Sequence, residues 1–298
     1  MKEDVLESDI VILGHIAKDI IEIDGKSQPA LGGAVFYGAI AGSHMGLRIS
    51  VITKLKKDDF PILEIFKING INCFAFPAEQ TSGLKNIYSS VNMEFRTYEP
   101  LGFAGLFKKE EILDFKTTYF VIGSILAGEV NLDLLKYISK KFEDKLCLDI
   151  QGFIRVRDKE TVIYRNLTQE EKLEILPRIN ILKVDQKEAE ILTGKKDINE
   201  ALKELIEYGS KEIVLTHEKG ISVNVNRRIY YFPWKNKSSF GRTGRGDTAF
   251  ISYLGSRITK SPEESLRFAA ALTSLKLESP GPFMLPLNEV ENLIKKEY

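Results

Sequence analysis

The chain has 298 residues, 43% hydrophobic and 28% charged, enough for one large core. Its 42 Lys+Arg balance 42 Asp+Glu, so there is no overall positive field to hold nucleic acid, and nucleic acid is excluded as a partner. Cys73 and Cys147 have no metal or redox spacing, the start Met1-Lys2-Glu3-Asp4 is charged, and the apolar run at 10–13 is too short to span a membrane, which together predict a cytoplasmic protein with no membrane partner.

In chain order the pattern predicts a strand over 10–13, a helix over 34–45, a strand over 49–53, a helix over 59–69 and a strand over 71–76. A strand over 119–123, a helix over 132–141, a strand over 145–149, a helix over 168–176 and a strand over 179–184 follow. Helices over 186–193 and 198–208, a strand over 213–216, a hairpin from 222–226 and 228–232, and helices over 248–257, 262–277 and 288–296 complete the chain. The strands are continuous apolar runs, as in strands buried on both faces. Gly46, Gly70, Gly194 and Gly209 each follow a helical pattern and read as stop signals. This βαβ rhythm predicts an α/β fold with a mostly parallel central sheet covered on both faces.

Two segments break the rhythm. Ile20–Lys26 is a strand entering an Asp24-Gly25 turn, and residues 84–98 are strand-rich and polar with no helical period. Both alternate, so we expect a small extra sheet built from about 15–31 and 83–105, either a lid or a decorative hairpin. With no repeat or long linker, residues 1–298 read as a single domain.

The segment Gly241-Arg242-Thr243-Gly244-Arg245-Gly246-Asp247 carries the chemistry, since it leads into a helix. Glycines let backbone N–H groups converge and a helix N-terminus favours negative charge, so the loop reads as an anion hole. An aspartate beside bound phosphate would be repelled unless it takes a proton, which points to phosphoryl transfer to a hydroxyl. A capped loop is the bland alternative, and Arg245-Gly246-Asp247 also spells the adhesion tripeptide, a chance match in a chain with no mark of secretion.

Other candidates lie at strand ends. Gly32-Gly33 suits close approach of a small ligand or a tight turn. Asp185 and Glu188 form either a capping box or, at a strand's carboxyl end, a carboxylate pair able to organise Mg²⁺ through water. Asp149 and Arg155 face polar ligand groups or pair with each other. Histidines 15, 44 and 217 lack metal spacing, and neither a Walker A sequence nor a dinucleotide fingerprint is present.

In order and over nearly the whole chain, these motifs resemble the ribokinase-like, PfkB-type carbohydrate kinases. The resemblance rests on Gly14…Asp19, Leu31-Gly32-Gly33-Ala34, Asp149…Arg155, Asp185-Gln186-Lys187-Glu188, 214–220 and Thr243-Gly244-Arg245-Gly246-Asp247. It implies a three-layer α/β/α ribokinase-like fold with a small β lid and an ATP-dependent, Mg²⁺-assisted kinase acting on a small sugar, polyol or sugar acid. Gly14-His15-Ile16 and the Asp149…Gln151-Gly152…Arg155 segment look most like the inositol or sugar-acid branch.

The carried-over roles are these. Asp247 is the base, with Gly244, Arg245 and Gly246 as the anion hole; Asp19, Gly32, Gly33, Asp149 and Arg155 bind substrate; Asp185, Thr216, Lys219, Gly220, Thr243 and Ser274 bind nucleotide; and Glu188 holds Mg²⁺ through water. Homodimers through the lid are expected from the same resemblance. The chain departs from the family pattern at Gly241 (commonly Asp), Arg245 (commonly small), Asp185 (commonly Asn) and His217 (often Gly). A nucleoside kinase and a non-catalytic sugar or nucleotide sensor are the alternatives on the same scaffold.

Overall fold

The structure is a computed structural model that describes residues 5–298; Met1-Lys2-Glu3-Asp4 lies outside the described residues. The chain begins with β1 (Leu6–Leu13), β2 (Ala17–Ile23), β3 (Lys26–Gly32), α1 (Ala34–His44) and β4 (Ile49–Lys56). A 3₁₀ stretch, Lys57–Leu63, runs into the one-turn α2 (Glu64–Ile68), then come β5 (Asn72–Ala78), β6 (Gly83–Ser89), β7 (Asn92–Gly102), β8 (Phe115–Ile122) and α3 (Leu132–Lys141). Next are β9 (Leu146–Asp149), the single turn α4 (Gln151–Ile154), β10 (Arg155–Asp158), β11 (Thr161–Tyr164), α5 (Gln169–Ile175), β12 (Ile181–Asp185), α6 (Gln186–Thr193) and α7 (Ile198–Ile206). The last elements are β13 (Glu212–His217), β14 (Gly220–Val225), β15 (Arg228–Pro233), α8 (Arg245–Arg257), α9 (Pro262–Leu277) and α10 (Leu287–Glu297).

Nine strands form the main sheet in the order β15-β14-β13-β12-β9-β8-β1-β4-β5. It is parallel from β13 to β5; only the β13–β14–β15 edge is antiparallel. Alternation along β1 shows how both faces are filled. Ile10 and Ile12 join the core under α1, α8 and α9, while Val11 and Leu13 join the core under α3, α5, α6 and α7. This is the three-layer arrangement expected.

A second sheet, β3-β2-β6-β7, departs from the carboxyl end of β1 and returns before β8. Two hairpins build it, joined through a parallel β2–β6 pair. At its first turn Asp24 and Gly25 both have positive φ, 47° and 80°, the conformation a two-residue hairpin turn needs. The predicted stop glycines Gly46, Gly70, Gly194 and Gly209 likewise have φ of 78°, 65°, 72° and 109°.

Two expectations are corrected. The helix expected over 59–69 is split, 3₁₀ through Leu63 and α-helical only over Glu64–Ile68, because Pro61 falls inside it and cannot donate to an α-helical ladder. The polar stretch 155–164 forms an unforeseen hairpin, β10–β11, turning at Lys159, whose φ is 51°.

Candidate active site

The motif Gly241–Asp247 folds as a loop feeding the first turn of α8. Gly244 is its N-cap, left-handed at φ 80°, and a Cβ there would overlap the Tyr37 ring at 2.2 Å. Glycine is thus required twice, by conformation and by the aromatic ring packed on it. Arg245, Gly246 and Asp247 then occupy the first turn, where N–H groups lack intrahelical acceptors and the dipole is positive. Gly246 brings the backbone close to a buried ammonium, since a Cβ on it would lie 3.1 Å from Lys183 Nζ.

Parallel strands aim the other side chains at this helix end, because their carboxyl ends meet at one edge of the sheet. Asp185 ends β12, Thr216 lies near the end of β13, and Arg155 follows the turn after β9. The second sheet supplies the facing wall with Asp19, Asn86, Arg96 and Tyr98. Together they enclose an inner chamber of about 70 Å³ that Asp247, Asp19, Gly33 and Gly244 also line. An outer chamber of about 510 Å³ shares Arg96, Tyr98, Asp185, Thr216, Arg242 and Arg245 with it, so the two are parts of one cleft.

Burial shapes the charges. Asp19 is pushed up to about 6 by burial, against the Leu84 N–H it accepts at 2.8 Å and the nearby Arg96; Asp247 adds to the rise. Burial also opposes the charge of Lys183, yet Asp149 at 2.8 Å, with Glu188, holds the ammonium well above its ordinary value. Arg155 stays charged in the same way, despite burial, between Tyr164, Tyr98 and Glu188, whose Oε1 lies 3.0 Å from its Nη2. Its guanidinium lies 5.3 Å from the Tyr98 ring and 5.6 Å from the Tyr164 ring.

Of the residues singled out from sequence, the cleft brings together Asp19, Gly33, Arg155, Asp185, Thr216, Thr243, Gly244, Arg245, Gly246 and Asp247. Others stand behind it or away from it. Gly32 backs Asp19, leaving no room for a Cβ within 2.1 Å of Asp19 Oδ2. Asp149 is buried and pairs with Lys183 rather than facing the cleft. Lys219 lies exposed at the β13–β14 turn, and Gly220 packs against β15. Ser274 is fully buried; its hydroxyl donates to the Ala270 carbonyl at 2.7 Å and accepts the Lys235 N–H at 2.8 Å. The Tyr298 hydroxyl lies 3.2 Å from Ser274 and donates to the Pro233 carbonyl at 2.7 Å, closing that region.

Glu188 also turns inward. It is fully buried, with Oε1 on Arg155 and Oε2 accepting the Asp185 N–H at 2.7 Å, while Asp185 caps the Glu188 N–H at 2.8 Å. The two backbone bonds with Asp185 are the capping box, and the other carboxylate oxygen pairs with Arg155. Among the described residues no group of three or more His, Cys, Asp or Glu could hold a metal ion. Glu188 is buried too deep to ligate an ion in the cleft directly, so a Mg²⁺ near it would be reached through water, while Asp185, Gln186 and Lys187 of the same motif line the cleft.

Sequence reasoning missed Lys183, Arg96, Asn86, Tyr98, Gln151, Tyr37 and Arg242 as cleft residues. Lys183 did leave a signal, as the one charge in the apolar run Ile181–Asp185 before its last residue. Arg96 left none beyond the alternation of β7.

Residues 18–286 match the family described as pfkB family carbohydrate kinase. A cytidine kinase of Thermococcus kodakarensis (strain ATCC BAA-918 / JCM 12380 / KOD1) is 27% identical over 275 residues, covering 87% of this chain and 92% of its own. A pyrophosphate-dependent kinase in the ribokinase family, solved as a sulfate complex, is 32% identical with a TM-score of 0.87, covering 95% of this chain and 99% of its own. A structure of a pyrophosphate-dependent kinase in that family with a pyrophosphate analog and myo-inositol gives 32% identity, a TM-score of 0.86 and coverages of 95% and 99%. By profile, fold and identity the chain belongs to the pfkB family of carbohydrate kinases and is a kinase of the ribokinase type.

Proposed function

We propose that this kinase phosphorylates a ring hydroxyl of a small polyol of the inositol type. The observation that carries the reading is the meeting of Asp19, Asp247 and the α8 N-terminus in one inner chamber. Asp19, with Asn86 from β6, accepts and donates hydrogen bonds to acceptor hydroxyls. Asp247 takes the proton of the attacking hydroxyl, and the N–H groups of Gly244 to Asp247 receive the charge on the transferring phosphoryl group. The second sheet acts as the lid that covers the acceptor and excludes water.

For the donor we infer pyrophosphate. Lys183, Arg155, Arg242 and Arg245 gather beside the α8 N-terminus, which suits a compact polyanion. Ser274, expected to bind nucleotide, is instead bonded to the Lys235 N–H and adjoins the Tyr298 hydroxyl. The likeness to a pyrophosphate-dependent kinase supports the same reading. A nucleoside acceptor is the second reading, favoured by the likeness to a cytidine kinase.

The test is phosphate transfer from pyrophosphate and from ATP to a panel of inositols, sugars, sugar acids and cytidine. Myo-inositol with pyrophosphate is expected to be the preferred pair. Preference for ATP overturns the donor assignment, preference for cytidine overturns the acceptor, and no transfer to any acceptor overturns both.

A further inference from the structure

Lys276 has no part in the mechanism above and does not line the cleft, yet it is buried directly beneath the anion loop. It sits in the last turn of α9, where a cation complements the helix dipole. Its ammonium donates to the carbonyls of both Gly241 and Thr243. The loop is drawn onto the end of α9 at the same place, since the Gly241 N–H donates to the Leu277 carbonyl at 2.8 Å. A Cβ on Gly241 would lie 2.1 Å from the Ser279 carbonyl oxygen and 2.5 Å from that of Lys276, which accounts for glycine at this departure from the family pattern. Tyr37 completes the seat: its ring centre is 5.1 Å from Lys276 Nζ, and the same ring covers Gly244.

A trans peptide unit is planar, with its N–H opposed to its C=O. Holding the Gly241 and Thr243 carbonyls inward therefore turns the Arg242 and Gly244 N–H groups the other way, and both of those residues line the cleft. We propose that Lys276 is a positioning residue for phosphoryl transfer, an internal cation that sets the peptide planes of the anion loop so that their N–H groups face the donor phosphate. Burial pushes Lys276 down to about 7, with Asp247 working against that shift and Arg242 and Arg245 adding to it. Bound phosphate anion would reinforce its charge, so the clamp tightens as the donor arrives.

The proposal rests on the phosphotransfer reading of the cleft, and its test separates the two. Pyrophosphate and myo-inositol binding by calorimetry, together with transfer kinetics and thermal melting, are measured on the wild type, Lys276→Met and Lys276→Ala. We expect Lys276→Met to lower pyrophosphate affinity and donor kcat/KM on the order of 10²-fold, the cost of misplacing reacting groups, while myo-inositol affinity changes less than about threefold. Ammonium or methylammonium ions should restore roughly tenfold of the donor kcat/KM in Lys276→Ala, which leaves a hole between the carbonyls, but not in Lys276→Met, which fills it. Donor affinity within about threefold of wild type in Lys276→Met overturns the proposal. So does equal loss of donor and acceptor binding without rescue, or failure of both variants to fold. If the wild type binds ATP and not pyrophosphate, the donor assignment fails and the same comparison is read on ATP. If it binds neither, the reading of the cleft fails, and the clamp proposal with it.

Discussion

The Tyr88 hydroxyl lies 3.0 Å from the Thr243 hydroxyl, joining the second sheet to the anion loop. Tyr88 also accepts from Arg96 Nη1 at 2.9 Å, and Arg96 Nε donates to the Tyr98 hydroxyl at 2.5 Å. A chain of contacts thus runs from the wall of the acceptor chamber to the loop that would hold the transferring phosphoryl group.

Removing the first link should loosen that connection without emptying the site. Tyr88→Phe keeps the ring and deletes both hydrogen bonds of the hydroxyl, the Thr243 link worth about 0.5–1.5 kcal/mol and the one from the charged Arg96 worth about 1.5–3 kcal/mol. Transfer efficiency should fall roughly three- to tenfold, and donor hydrolysis without acceptor should rise, because the sheet then covers the cleft less of the time. Comparing phosphate release with product formation in the variant measures both. An unchanged ratio would mean that the contact does not govern closure.

Asp247→Asn isolates the base. The amide keeps the shape of the first turn of α8 but cannot accept the hydroxyl proton, so turnover should drop on the order of 10²–10⁴-fold with donor affinity preserved. Near-normal turnover in this variant would remove Asp247 from the chemistry.

What the sequence made legible follows from where the information lies. The buried strands announced themselves as apolar runs, and the Gly-x-Gly-Asp segment placed the α8 N-terminus, because both signals are local. Lys183 was missed as a cleft residue because its role depends on Asp149, 34 residues away, and Arg96 because its contacts with Tyr88 and Tyr98 lie within one hairpin whose alternation does not show which face meets the cleft. The β10–β11 hairpin was illegible because its polar residues carry no apolar period; it is formed by pairing between Arg155 and Tyr164 and packing against β7. Lys219, Gly220, Ser274 and Glu188 show the converse limit. A motif match names them without showing where they sit: Lys219 exposed at a turn, Gly220 packed against β15, Ser274 beside Tyr298, and Glu188 in the capping box with Asp185.

Beneath the acceptor chamber, Glu129 is fully buried and holds a loop in place. Its Oε1 accepts the Ile125 N–H at 2.6 Å and the Leu126 N–H at 2.9 Å, and its Oε2 accepts the His15 N–H at 3.0 Å. Glu129→Ala would strand three backbone donors. The expected loss is roughly 3 kcal/mol or more of unfolding free energy, at about 1–3 kcal/mol per unsatisfied group. Because Ile125 lines the inner chamber, acceptor KM should rise as well. Urea unfolding and acceptor titration check the two effects, and a variant as stable as the wild type would show that the loop holds itself.

Asp19 sets function against stability, and the sign can be worked out. Its folded value of about 6 lies above the ordinary 3.8, so the folded chain binds more protons than the unfolded chain between those values. Stability attributable to this group therefore rises as pH falls from about 6 toward 3.8, and at pH 7 its buried charge costs on the order of 3 kcal/mol. Asp19→Asn relieves that cost while its carbonyl oxygen can still accept the Leu84 N–H, so the variant should melt at a higher temperature at pH 7. The same change weakens acceptance of substrate hydroxyls, and acceptor kcat/KM should fall about tenfold or more, as when a hydrogen bond to a charged group is lost. In the wild type, acceptor KM should decrease as pH rises through about 6, where the carboxylate ionises, and this inflection should vanish in Asp19→Asn. A wild-type profile flat between pH 5 and 7.5 would mean that the charge of Asp19 is not what the acceptor meets.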